Sequence, residues 1–132
     1  MVDYQEFSDD LELSDGFFEG WPRPPGKKAH RAILQESYRS IVALDGKKII
    51  GFITAVSDGI LSACIPLLEV LPEHRGRGIG GQLVKRMLQS LDGLYMIDLA
   101  CDPELQPFYE KLGFRPARAM IKRNYDSLKD LQ

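Results

Sequence analysis

The segment Val70-Leu-Pro-Glu-His-Arg-Gly-Arg-Gly-Ile-Gly-Gly81 constrains this chain more than any other. It joins a β-type run to the clearest helical period in the sequence. Over Gly78–Leu91, Ile79, Leu83, Val84, Met87, Leu88 and Leu91 share one face, with Gln82, Lys85, Arg86 and Gln89 opposite. Gly76, Gly78, Gly80 and Gly81 let the backbone turn tightly and bring bare N–H groups close to a ligand. With the helix dipole behind them and Arg75 and Arg77 beside them, those amides read as a phosphate or pyrophosphate site. A P-loop would need Lys-Ser/Thr after the last glycine, and Gln82-Leu83 excludes it. The dinucleotide fingerprint is matched literally by Gly76, Gly78 and Gly81, with Asp98 near the usual acidic offset. Its strand, however, should run straight into the first glycine, and here Pro72–Arg75 intervenes. A purely structural glycine turn is the remaining alternative.

Around this loop the pattern predicts a mixed α+β chain. Glu12–Trp21 reads as a short helix, with Ser14 as N-cap and Phe17, Phe18 and Trp21 on one side. Pro22–Gly26 breaks it, and Lys27–Tyr38 reads as a second helix whose apolar face holds Ala29, Ala32, Ile33 and Leu34. Ser40–Leu44, Lys48–Val56 and Ile60–Val70, separated by the turns Asp45-Gly46 and Ser57-Asp58-Gly59, form an antiparallel meander. Pro66 cannot donate to a ladder, so a bulge or an unpaired side is expected there. Beyond the loop helix, Tyr95–Leu99 reads as a short buried strand. Asp102 caps a helix that carries Pro103, Leu105, Phe108, Tyr109 and Leu112 and stops at Gly113. Phe114–Tyr125 reads as a final β region. The crossover between Ile60–Val70 and Tyr95–Leu99 implies that those two strands lie parallel.

A length of 132 residues, 44% of them hydrophobic and 27% charged, suits a single domain over 1–132, with its core at about 12–125. A net charge of −2 argues against a general nucleic-acid binder, and no apolar window is long enough to span a membrane. The acidic start is no signal peptide, so a cytoplasmic location is expected. Cys64 and Cys101 fit neither a disulfide framework nor a zinc site and read as reduced core thiols. No metal is expected. Residues 1–22 hold seven acids and no Lys or Arg, and the remainder holds 12 acids against 17 bases. Such a flank could draw a cationic amine while the body draws a polyanion, or both could be ordinary solvated faces.

At the loop the chain resembles the GNAT superfamily of N-acetyltransferases, in a small, single-domain, bacterial-type form. The superfamily's Arg/Gln-x-x-Gly-x-Gly/Ala motif is matched by Arg75-Gly-Arg-Gly78-Ile-Gly80, preceded by Val70, Pro72 and Arg75 in a V-x-P-x-x-R pattern. A second segment of the superfamily is matched by Phe108-Tyr-Glu-Lys-Leu-Gly-Phe114 at the right distance. The resemblance implies a mixed, mostly antiparallel sheet flanked by helices, with a parallel strand pair splayed to admit acetyl-CoA. It implies that the backbone near Leu68 and Val70 holds the pantetheine arm. The pyrophosphate would lie on Arg75, Gly76, Arg77, Gly78, Ile79, Gly80 and Gly81.

The implied chemistry is direct attack of a primary amine, from a small molecule or peptide, on the thioester within a ternary complex. By the resemblance Tyr109 protonates the CoA thiolate; core packing is its other reading. Glu69 is the one carboxylate on the central strand and the candidate base, with a structural ion pair or a solvated position as the alternative. Many relatives carry Asn where Asp102 stands. Asp102 is thus a candidate cofactor contact that accepts but does not donate, beside its reading as a helix cap. Glu73 and His74 read as exposed loop residues, and His30 as helix surface. Trp21–Pro25, with Phe17 and Phe18, reads equally as one wall of the acceptor pocket or as a cap on the core. A homodimer through the C-terminal strands is a further implication. The alternative function is a non-catalytic acyl-CoA-binding sensor or interaction module on the same fold.

Overall fold

The computed structural model describes residues 1–132 and builds one mixed sheet between two layers. In chain order the elements are β1 (Asp3–Glu6), β2 (Glu12–Leu13), α1 (Lys27–Glu36), β3 (Arg39–Asp45), β4 (Lys48–Ser57), β5 (Ser62–Val70), α2 (Ile79–Ser90), β6 (Met96–Asp98) and α3 (Gln106–Glu110). Short 3-10 turns cover Pro72–His74, Pro103–Leu105 and Tyr125–Leu131. The sheet order is β1-β3-β4-β5-β6, and β2 lies parallel to the start of β4. The expected meander is β3-β4-β5, antiparallel throughout, and β5 pairs parallel with β6 across the α2 crossover.

Apolar side chains alternate across the sheet and fill two cores. Ile41, Ala43, Ile53, Ala63 and Ile65 face α2, whose Leu83, Val84, Met87 and Leu91 close that layer. Val42, Leu44, Ile49 and Phe52 face the other way, where Leu34 of α1 and Leu11, Leu13 and Phe18 of the N-terminal segment cover them.

The expected helix over Glu12–Trp21 does not form. Glu12 and Leu13 pair with Lys48 and Ile49, and the Ser14 hydroxyl donates to the Ile49 carbonyl at 2.6 Å rather than capping a helix. Gly16, Phe18 and Gly20 all have positive φ, which no right-handed helix accepts. β1 leaves little sign in the sequence, because within its four residues only Tyr4 turns to the core and Val2 lies just outside it. In α1 it is His30 and Leu34 that are buried, while Ala32 is exposed.

The C-terminal third also departs from expectation. β6 is only three residues long and largely exposed rather than a buried strand, and Tyr95 lies on the surface. The helix begun at Asp102 divides into a 3-10 turn and α3, because Pro107 lacks the N–H that a continuous helix would need. Phe114–Tyr125 forms no strand; it runs exposed beside β6 without a ladder partner. Cys64 is exposed and Cys101 half-buried, so neither is a core thiol. No helix is long and apolar enough to cross a membrane.

Candidate active site

The central feature is a bulge in β5. Thr54 pairs with Leu67 and Val56 with Cys64, so Ile65 and Pro66 together oppose Ala55. The proline stands in the bulge, where its missing N–H costs no ladder bond. The extra residue also reverses the alternation of the strand. Ala63 and Ile65 face α2, but past the bulge it is Leu68 and Val70 that do so, and Leu67 turns to the other core. Glu69 turns with Leu67, to the face covered by α1 and the N-terminal segment.

At the same point β5 loses its parallel neighbour. The β5–β6 register covers only Ser62↔Met96, Ala63↔Ile97 and Cys64↔Asp98. From Ile65 to Val70 the β6 side of the strand is open, so the backbone of Leu68 and Val70 can pair with an extended ligand. The two faces of the sheet meet in this opening.

The opening leads to the glycine loop. Arg75 Nε donates to the Val70 carbonyl at 3.1 Å and ties the loop to the strand end. Gly78 sits at φ 79° as the residue before α2, a conformation that costs a side chain on the order of 1 kcal/mol. The amides from Gly76 to Gly81 donate to no backbone or side-chain acceptor of the chain; the first helical bond is Gln82 N–H to the Gly78 carbonyl. A Cβ added at Gly76, Gly78 or Gly81 would meet nothing within 4 Å, so the loop is open around these glycines. Gly80 is different: its Cβ position lies 3.7 Å from Phe108 and 4.0 Å from Val70, at ordinary van der Waals contact with α3 and β5. Ile79 is buried and contributes its amide alone, its side chain belonging to the core. Arg77 is exposed and contacts His74 Nδ1 at 2.8 Å. Free donors, open space and two arginines fit the pyrophosphate of an acyl-CoA.

Glu69 is half-buried, and its Oε1 accepts the Phe18 N–H at 2.7 Å. Burial raises its pKa above the ordinary carboxylate range; the Phe18 amide and Arg75 pull it down, and Glu19 pushes it up. Arg75 is in turn 3.8 Å from Glu19. Tyr109, on α3, packs against the α2-side core and meets Phe108 and Phe114 edge-on, with centroids at 4.9 and 5.7 Å. Burial raises its pKa too, which keeps the phenol protonated at neutral pH. Asp102 is exposed at the start of the Pro103 turn, and its side chain caps nothing. Glu69 and Tyr109 thus belong to opposite faces of the sheet, and the opening connects them.

Phe17 and Phe18 do cap a core, as one of their two readings had it, but sequence reasoning missed that His30 and Phe52 complete a ring cluster beside Glu69. Phe17, Phe18, His30 and Phe52 stack with centroid separations between 4.6 and 6.0 Å, and Trp21 adds to it at 5.1 Å from Phe18. His30 is 3% exposed, not helix surface, and its pKa falls to about 4 because burial disfavours the cation. Its Nε2 has no hydrogen-bond partner. Phe18 is the only non-glycine residue with positive φ, at 63°. The even pattern of Phe17, Phe18 and Trp21 was the one available signal, and it imitated a helix.

The site is thus a parallel strand pair that parts beside a bulge and leads to a helix-start anion site. The family model "Acetyltransferase (GNAT) domain" matches residues 36–116, and the chain belongs to that family. A candidate acetyltransferase from Deinococcus radiodurans R1 is 42% identical, with a TM-score of 0.91 over 96% of this chain and 91% of that one. The uncharacterized N-acetyltransferase ycf52 of Pyropia yezoensis is 32% identical over 72% of this chain and 58% of its own length. The chain spans about half the length of the curated relatives it matches. AAC(6')-Iy, solved with the bisubstrate analog CoA-S-monomethyl-acetylneamine, shares the fold at 23% identity and a TM-score of 0.64, over 94% of this chain and 98% of that one.

Proposed function

We propose that this chain transfers the acetyl group of acetyl-CoA to a primary amine of a small molecule or peptide, by direct attack in a ternary complex. The observation that carries the reading is the run of unpaired amides from Gly76 to Gly81 at the end of the opened β5. The amine arrives as R–NH₃⁺ and gives a proton to the Glu69 carboxylate, whose basicity burial increases. The neutral amine attacks the thioester carbonyl, the C–S bond breaks as the tetrahedral intermediate collapses, and the CoA thiolate takes a proton from Tyr109. The second amine proton returns to the phenolate. Leu68 and Val70 would hold the pantetheine arm, with Arg75, Arg77 and the Gly76–Gly81 amides on the pyrophosphate. The exposed Asp102 carboxylate would accept from the pantetheine side. Glu19 and Glu69 on the acceptor side favour a cationic amine.

Thiol release from acetyl-CoA with a panel of amines tests the proposal, with Tyr109→Phe run beside the wild type. Turnover that the variant loses supports it. Tight CoA binding with no turnover on any amine would instead support a non-catalytic acyl-CoA sensor, and no CoA binding would sink both.

A cytoplasmic location and a homodimer belong to the same proposal. The unpartnered edge of β6 faces a groove of about 910 Å³ whose other wall is the chain's own exposed segment, including Arg115, Arg118 and Ile121. Met120 and Ile121 are left in solvent, as a segment that pairs with a second copy would be. Light scattering of the intact chain reads the mass directly, and a monomer at high concentration would refute the dimer.

A further inference from the structure

We propose that Phe18 is a positioning residue for the acceptor-side carboxylate: its left-handed backbone aims an N–H at Glu69 Oε1, and its ring, locked in the aromatic cluster, holds that conformation. The inference rests on the reading of Glu69 as the base.

Phe18 grips one cross-strand pair at both ends. Phe52 and Glu69 are directly opposite in the β4–β5 ladder and so lie on the same face. The Phe18 ring packs on Phe52 with centroids 6.0 Å apart, and the Phe18 amide reaches Glu69 at 2.7 Å. A bulky residue at φ 63° is strained, and left to itself would relax to negative φ and turn its N–H away. Here Trp21 at 5.1 Å and His30 at 5.0 Å also enclose the ring, which is 3% exposed. Gly16 and Gly20, both at positive φ, flank it and let the loop fold back on the sheet.

The result is an oriented carboxylate. Oε1 is engaged and Oε2 accepts no hydrogen bond, which leaves one oxygen for the amine proton. The other charged groups acting on Glu69 are the Arg75 guanidinium and the Glu19 carboxylate, themselves 3.8 Å apart. His30, behind the Phe18 ring, is neutral above about pH 4 and adds no charge in the working range.

Two substitutions separate the backbone from the ring. Phe18→Ala and Phe18→Gly delete the same ring and the same packing, but only glycine adopts φ 63° without strain. The midpoint of the Glu69 carboxyl is read by ¹³C NMR titration, the signal being assigned by its loss in Glu69→Gln. The acidic limb of kcat/KM is measured alongside. Phe18→Ala should titrate about one pH unit above Phe18→Gly, having lost the hydrogen bond to the charged form, with kcat/KM near pH 6 several-fold lower. Equal midpoints in the two variants would overturn the proposal, because a purely structural ring predicts no difference. If the alanine chain does not fold, Phe18→Leu, which keeps an apolar filler, replaces it in the same comparison. The base itself is tested separately: a Glu69→Gln chain with wild-type kcat/KM removes the catalytic role while leaving the titration difference readable.

Discussion

His30 should make this protein acid-sensitive in the range below its ordinary pKa of 6.5. The ring is 3% exposed among Phe17, Phe18 and Phe52, and its pKa is lowered from 6.5 to about 4. Between those values the unfolded chain binds a proton that the folded chain refuses. The stability held by the neutral ring is therefore complete above pH 6.5 and declines as pH falls towards 4. Integrated between pH 7.5 and pH 5.0, this single group costs about 2 kcal/mol. Glu69 works in the opposite sense, since its raised pKa makes the folded state bind more protons, so the wild type alone does not isolate the histidine. His30→Phe does, because it keeps an aromatic ring in the cluster and removes the titration. Urea denaturation of both chains at the two pH values gives two losses of stability, and the wild-type loss should exceed that of the variant by about 2 kcal/mol. Equal losses would refute the argument, and would mean that the cluster admits water to the imidazolium.

Other substitutions test the remaining parts. Gly78→Ala places a Cβ at φ 79° and in the open space around the loop. It should lower stability by about 1 kcal/mol in urea melts and raise KM for acetyl-CoA about tenfold or more, with a smaller change in kcat. Tyr109→Phe should reduce kcat by roughly 10²-fold while the acetyl-CoA Kd, read by calorimetry, stays near the wild-type value. Ser14→Ala leaves the buried Ile49 carbonyl without its 2.6 Å partner and should cost about 1–2 kcal/mol by urea denaturation, with kcat/KM little changed.

What local pattern could reach was read correctly. The α2 stripe from Ile79 to Leu91, the turns at Asp45-Gly46 and Ser57-Asp58-Gly59 and the bulge at Pro66 each depend on residues close in sequence. Asp58 shows why: its carboxylate takes the amides of Ile60 and Leu61 at 2.8 Å, and the Ser57 hydroxyl takes that of Gly59, so the turn is shaped by residues within it. The misreadings share the opposite character. β1 exists because β3 is beside it, and Phe114–Tyr125 has β-type residues but forms no ladder with the free edge of β6. Phe17, Phe18 and Trp21 have a spacing that a helix also produces. What fixes them is the sheet they cover and an amide that finds a carboxylate 51 positions away. At the site, the loop was legible because glycines and arginines announce it. The direction of Glu69 was not, because it depends on how β4 and β5 register around Ala55.

The bulge at Ile65 and Pro66 leaves that direction to the pairing with β4. Removing one residue between Ser62 and Leu67 would take out the residue that has no counterpart on β4, and Thr54↔Leu67, Ile53↔Leu68 and Phe52↔Glu69 could still pair. Residues directly opposite in a ladder share a face, so Glu69 would stay beside the Phe18 amide, and Leu68 and Val70 would stay on the α2 side. What such a deletion would remove is the local bend where β5 parts from β6. A single deletion in this stretch should therefore disturb the two cores less than one elsewhere in β5, and its effect should be read in acetyl-CoA binding.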